Sequence, residues 1–153
     1  MNFREILTPE RTVNNIKNVT KKSAFELIAK LAAEKSDEIN SKEVVEALYN
    51  REKLGSTVIG QGVAIPHARI GGIEQPIGIL LHLNDAISFD ISHPQVDLLF
   101  ALLVPENSEQ QHLEILASIA KSFSHTTFCK QLRQSQSNTE LYQNAMTDLE
   151  TVK

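Results

Sequence analysis

Apolar positions recur at helical spacing near both ends of the chain and gather into continuous runs in its middle. Phe25, Ile28, Leu31 and Ala32 share one helical face after Ser23-Ala24-Phe25-Glu26. That tetrad has the form of a capping box, in which a small polar side chain takes an orphan N–H and a Glu or Gln three residues on reaches back. Asn40-Ser41-Lys42-Glu43 opens a second helix with Val44, Val45, Leu48 and Tyr49 as its stripe. Ser108-Glu109-Gln110-Gln111 opens a third, turning Leu116, Ile119 and Phe123 inward. Ser137-Asn138-Thr139-Glu140 opens a fourth, carried by Leu141, Tyr142, Ala145, Met146 and Leu149. A short helix is expected between the last two, around Phe128 to Arg133.

Between the second and third helices the pattern changes to strands. Val63-Ala64-Ile65-Pro66 is a short apolar run after the turn residues Gly60 and Gly62. Ile77 to Leu83 and Val96 to Val104 are nearly continuous apolar runs, as expected of strands covered on both faces. Gly71-Gly72 and His93-Pro94 supply turns around them. A further strand is expected near Thr12 to Val19. Helices at both ends and buried strands between them predict an α/β fold, with a mixed central sheet and helices on both faces. The 153 residues fall within the roughly 100–200 usual for one domain, so residues 1–153 are read as a single unit.

Composition narrows the function classes. Hydrophobic residues make up 41% and charged residues 22%, a normal globular balance. The single Cys129 excludes an internal disulfide framework and any multi-cysteine metal cluster, and fits a reducing compartment. Net charge is −4 without a basic run, which argues against nucleic acid as a partner. No apolar run approaches the ~18 residues of a membrane span. Met1 to Glu5 lacks the basic start and apolar core of a signal peptide, so a cytoplasmic protein without membrane insertion is expected.

The reactive inventory is five histidines: His67, His82, His93, His112 and His125. None shows a close metal-ligand spacing, so no metal is expected. No nucleophile elbow, phosphate-binding loop or dinucleotide loop occurs either, and no cofactor is expected. His67 follows Pro66 at the end of an apolar strand, where a side chain is presented to solvent from a rigid base. Such a residue is either a surface turn histidine or part of a binding site. His112 falls in the first turn of the third helix on the face of Leu116 and Ile119. It is either a core histidine or a hydrogen-bond donor to an anion at a helix N-terminus. Arg51, at the end of the second helix, either complements the helix dipole or forks onto phosphate oxygens. His82 reads as a sheet residue, His93 and His125 as surface residues, and Cys129 as a small buried apolar group.

The stretch Arg51-Glu52-Lys53-Leu54-Gly55-Ser56-Thr57-Val58-Ile59-Gly60-Gln61-Gly62-Val63-Ala64-Ile65-Pro66-His67 closely resembles the phosphorylation-site signature of the fructose/mannitol-type IIA components of the bacterial phosphoenolpyruvate-dependent phosphotransferase system. Val96-Asp97-Leu98-Leu99-Phe100-Ala101-Leu102-Leu103-Val104-Pro105 resembles the family's central buried strand, and His112-Leu113 its second active-site histidine. The resemblance runs from about Ile6 to Leu149 and is strongest to the nitrogen-regulatory branch, whose members are stand-alone domains. Ala68-Arg69 departs from the Gly-Lys of many relatives and bears on partner detail. The resemblance implies that His67 accepts a phosphoryl group from an HPr-type phosphocarrier, that His112 donates a hydrogen bond to it, and that Arg51 adds positive charge. Ser56 and Thr57 are expected to line the pocket and receive no catalytic role. It also implies a regulatory switch acting on protein partners such as potassium-transport proteins or sensor kinases. Two alternatives stay open: a sugar-specific IIA passing phosphate to a IIB domain, and a non-catalytic binding domain that keeps the fold.

Overall fold

The computed structural model describes residues 3–107 and 109–149, and the side chains of residues 5–107 and 113–147. Helix α1 (Phe3–Ile6) and a 3-10 turn (Pro9–Arg11) lead into β1 (Thr12–Ile16), then α2 (Lys21–Ala33) and α3 (Ser41–Lys53). Four strands follow as β2 (Val58–Gly60), β3 (Val63–Ala64), β4 (His67–Ile70) and β5 (Ile77–Ile87). Strand β6 (Val96–Pro105) precedes α4 (Glu109–Phe123), α5 (Thr126–Arg133) and α6 (Asn138–Leu149). The strands form one sheet in the order β1-β5-β6-β3-β2, with β4 also on β6. β1 runs parallel to β5, β3 and β4 run parallel to β6, and the β5–β6 and β2–β3 pairs are antiparallel. The sheet is mixed, as expected.

Strand β6 divides the core by alternation. Leu98, Phe100, Leu102 and Val104 pack with Ile119, Phe123 and Phe128 of α4 and α5 and with Leu141 of α6. Leu99, Ala101 and Leu103 face the other way, toward Phe25 and Ile28 of α2 and Val44 and Leu48 of α3. A two-residue period with apolar groups on both faces is what makes this run read as continuous. Each fully buried Leu or Phe contributes roughly 1.5–3 kcal/mol, so β6 holds both helical layers to the sheet.

Helix starts follow the expected capping in part: the caps of α3 and α6 form without the return bond from Glu43 or Glu140 among the described residues, and the cap of α2 is shifted. Asn40 caps α3 by accepting from the Glu43 N–H at 3.1 Å, and Ser137 accepts from the Glu140 N–H at 3.0 Å. The cap of α2 is Thr20 rather than Ser23. The extended Thr20 accepts from the Ser23 N–H, and the Ser23 hydroxyl accepts from the Thr20 N–H, so Ser23 closes the box that it was expected to open. The expected Ser108 cap lies outside the described residues. Helix α5 begins two residues before the expected Phe128.

The strand after the Gly-rich turn also differs from expectation. Val63 and Ala64 stand opposite Leu98 and Leu99, and His67 to Ile70 stand opposite Leu102 to Pro105, the same offset on both sides of Pro66. Pro66 thus falls between β3 and β4 without shifting the register. It lacks an N–H, but its carbonyl still accepts from Leu102 at 2.9 Å, and His67 opens β4 instead of closing β3.

A polar network pins the sheet to α5 and α6 and was not evident from sequence. Arg133 forks onto Asp97, with Nη2 2.8 Å from Oδ1 and Nε 2.9 Å from Oδ2, and also bonds the Gln61 carbonyl. Asn14, beside the irregular register of β1, meets His82 Nδ1 at 2.7 Å and donates to the Ser135 carbonyl at 3.0 Å. Burial pushes the His82 imidazole below the usual histidine range; Asp97 opposes this and Arg133 adds to it.

Two predictions follow from this network. Gly62 has φ +76°, and a Cβ there would lie 2.7 Å from Arg133 Nη2, so Gly62→Ala should lower stability by about 1–3 kcal/mol in urea unfolding. The folded state takes up a proton on His82 less readily than the unfolded chain, which does so below pH ~6.5. The contribution from His82 is therefore complete above that pH and is lost as pH falls through the window beneath it. Urea midpoints measured from pH 8 to 5 should fall less steeply for His82→Gln than for the wild type; equal slopes would exclude His82 as the source.

Candidate functional site

The site forms where the last turn of α3 passes the start of β4. Val63 and Ile65 belong to the core beneath α4, whereas Ala64, Ala68 and Ile70 belong to the core beneath α2 and α3. His67 continues the Val63–Ile65 side by alternation. Arg51, in the last turn of α3, belongs to the helical layer on the other face of the sheet and meets His67 across the edge at β4. A cation in the last turn of a helix is favoured by the dipole, so the position is stabilising in its own right.

Two hydrogen bonds set the state of the His67 ring. Nδ1 lies 2.7 Å from the Ile65 carbonyl oxygen, and Arg51 Nε lies 3.1 Å from Nε2. A carbonyl only accepts and a guanidinium only donates. Both contacts are satisfied together by the neutral tautomer with its proton on Nδ1 and its lone pair on Nε2. Arg51 Nη1 donates to the Gly55 carbonyl at 2.8 Å, which fixes the plane of the guanidinium. His67 is half-buried, less open than the solvent-presented side chain expected at a strand end.

Around this pair lies a cleft of about 800 Å³, within the usual range for ligand sites. Ala47, Leu54, Ala68, Leu113 and Leu116 supply apolar walls, and Asn50, Arg51, His67 and Arg69 supply polar groups. Leu54 and Leu113 are 85% and 67% exposed, so large apolar groups stand in solvent on two sides of a cationic centre. His112 lies in the first turn of α4, immediately before Leu113; its side chain lies outside the described residues. Arg51 and His67 are therefore brought together, and His112 is near them in the chain path.

The remaining candidates sit elsewhere. His82 belongs to the network on β5, and the exposed His93 pairs with Asp90 at 2.9 Å. His125 is an exposed residue at the start of α5. Cys129 is buried, with its thiol 3.2 Å from the Phe123 carbonyl. Among the described residues no group of His, Cys, Asp and Glu is arranged to hold a metal ion. No described helix is long and apolar enough to cross a membrane. Ser56 and Thr57 do not line the cleft; Thr57 is buried and its hydroxyl donates to Glu52, a residue that nothing in the apolar pattern singled out.

The fold is that of a phosphotransferase-system IIA component. Enzyme IIA-mannitol of Escherichia coli, solved in complex with phosphorylated enzyme IIB-mannitol, superposes with a TM-score of 0.73 at 16% identity, over 93% of this chain and 99% of that one. Residues 5–145 match the family described as phosphoenolpyruvate-dependent sugar phosphotransferase system, EIIA 2, and the chain belongs to that family. Its relatives there include nitrogen regulatory proteins. That of Pseudomonas aeruginosa is 42% identical over 142 residues, 92% of each chain. The crystal structure of nitrogen regulatory protein IIA-Ntr from Neisseria meningitidis gives a TM-score of 0.83 at 37% identity, over 92% of this chain and 97% of that one.

The His67 tautomer is directly measurable. In nitrogen-15 spectra above pH 7.5, Nδ1 should resonate as the protonated ring nitrogen and Nε2 as the unprotonated one. The reverse assignment would remove the geometric basis of the site.

Proposed function

We propose that the chain accepts a phosphoryl group on His67 from the phosphohistidine of an HPr-type carrier, and that it acts mainly as a regulatory switch. The observation that carries this is the pairing of His67 with the Ile65 carbonyl and Arg51. It leaves Nε2 as the ring nitrogen with a lone pair, in a cleft beside a guanidinium, which supports its reading as the nucleophile. Neutral imidazole is a competent nucleophile near pH 7, because its unperturbed pKa is about 6.5.

The lone pair on Nε2 attacks phosphorus as the bond from phosphorus to the carrier's ring nitrogen breaks, and the carrier keeps that electron pair. Phosphorylated His67 carries added positive charge in its ring, and Nδ1–H shares it with the Ile65 carbonyl. Phosphoryl transfer depends on in-line placement and charge stabilisation more than on covalent help. Arg51 supplies the charge, exchanging its bond to Nε2 for one to a phosphoryl oxygen. His112, one residue before the cleft residue Leu113, donates a further hydrogen bond. The exposed Leu54 and Leu113 give a carrier an apolar contact around the reacting atoms.

The regulatory emphasis is supported by the likeness to nitrogen regulatory proteins at 37–42% identity. A phosphoryl group adds about −1.5 to −2 charge to a surface that protein partners can read. Potassium-transport proteins and sensor kinases are the partner classes to test. A second reading, transfer onward to a IIB domain, is favoured by the fold shared with enzyme IIA-mannitol, and the downstream acceptor separates the two.

Intact-mass spectrometry after incubation with phosphoenolpyruvate, enzyme I and carrier should show one acid-labile phosphoryl group, absent in His67→Ala. Arg51→Ala and His112→Ala should each slow uptake by about 10²–10³, the usual effect of removing one preorganised donor, with His67 still the modified residue. No uptake from either sugar-type or nitrogen-type carriers would favour a non-catalytic binding domain. Pull-downs that recover the same partners with phosphorylated protein and with His67→Ala would remove the switch.

A further inference from the structure

We infer that Glu52 is a positioning residue, bracing through Thr57 both halves of the Arg51–His67 pair; the reaction it serves is the one proposed above. Successive helical residues point about 100° apart, so Glu52 turns away from Arg51 into the body of the protein. Its side chain is only 6% exposed, and a carboxylate so far out of water needs partners. It has two. The Thr57 hydroxyl donates to Oε1, and Lys21 Nζ lies 3.9 Å from Oε2. Lys21 is itself held, donating to the Phe89 carbonyl at 3.1 Å and lying 5.1 Å and 5.8 Å from the ring centres of Phe89 and Phe25.

Thr57 is the junction. Its backbone carbonyl accepts from the Ile65 N–H at 3.0 Å, and Ile65 is the residue whose own carbonyl holds His67 Nδ1. In the other direction the chain runs back from Thr57 through Ser56 to Gly55, whose carbonyl receives Arg51 Nη1. Arg51, Gly55, Thr57, Ile65 and His67 therefore form a closed ring, completed by the 3.1 Å contact between guanidinium and imidazole. Glu52 is the brace from α3 across that ring. Without it the turn between α3 and β2 keeps its backbone bonds, the Arg51–Gly55 contact and the Ser56 hydroxyl's bond from the Val58 N–H, but loses its tie to the buried side of α3, and the guanidinium drifts relative to Nε2. Displacements of this kind cost up to ~10²-fold in rate, because reacting groups must be aligned.

The test uses the full chain with Thr57→Val, which removes the hydroxyl at nearly constant volume, and Thr57→Ser, which keeps it. Two quantities are measured: kcat and KM for phosphoryl uptake from phosphorylated carrier, and the protection of the Arg51 Nε–H against hydrogen exchange without carrier. Thr57→Val should lower kcat about 10–10²-fold at unchanged KM and abolish the protection, with both restored in Thr57→Ser. Wild-type kcat with a protected Nε–H in Thr57→Val would overturn the inference. So would a loss of rate that tracks melting temperature and is not rescued by serine. Should Thr57→Val fail to fold, Glu52→Gln against Glu52→Ala decides, since the amide keeps an acceptor for Thr57 and the methyl group does not. If wild-type protein takes up no phosphoryl group, the functional reading fails, and the exchange measurement still decides the brace.

Discussion

The site depends on Pro66 lying between two strands that β6 holds in one register. Because β3 and β4 keep one offset along β6, the Ile65 carbonyl and the His67 ring are two residues apart on a backbone that cannot shift. Pro66 is buried and fixed in φ, so the segment carries little of the conformational freedom that a loop histidine would lose on binding. The ring is then turned until Nδ1 reaches Ile65, and that contact decides which nitrogen is left with a lone pair. Sheet register thus chooses which ring nitrogen keeps a lone pair, the atom that attacks on the proposed reading.

The edge position of β4 explains how groups from opposite faces meet. A residue in the middle of the sheet sees one helical layer only, as Leu99 and Phe100 do. At the edge no further strand separates the layers, so α3 delivers Arg51 past the sheet and α4 presents Leu113 and Leu116 to the same cleft. The cation at the end of α3 complements the helix dipole and, on the proposed reading, also serves the chemistry, so the two readings describe one placement. The Gly55 carbonyl, just beyond that helix, turns a long flexible side chain into an oriented group.

Much of this was legible in the chain. Uninterrupted apolar runs became the central strands, because residues on both of their faces had to be covered. Asn40 and Ser137 became caps because their side chains take N–H groups that nothing else can reach. His67 and Arg51 stood out through their motif, and their contact required the fold. What stayed hidden depended on tertiary partners. Proline at 66 reads locally as a strand end, and only the long β6 alongside shows that the ladder resumes. Thr20 displaced Ser23 as a cap because both are competent and the extended backbone lies at Thr20. Glu52 carries no local sign of its role, since its partners come from α2 and from beyond the next turn.

Arg51 is both guard and catalyst on the proposed reading, and magnitudes decide between these roles. Its bond to Nε2 occupies the lone pair that must attack, so transfer begins by breaking it. A hydrogen bond involving a charged group contributes about 1.5–3 kcal/mol in a protein. A preorganised donor aimed at developing charge is worth about 2.7–4 kcal/mol in the transition state. The phosphoryl oxygens carry more charge than a neutral imidazole nitrogen, so the exchange runs downhill as soon as the carrier brings them in. With no phosphoryl group present, nothing replaces the broken bond and the nucleophile stays covered. Covering the lone pair in the resting state thus costs the reaction less than Arg51 returns to it, and the same side chain makes the nitrogen selective for a donor that brings negative charge.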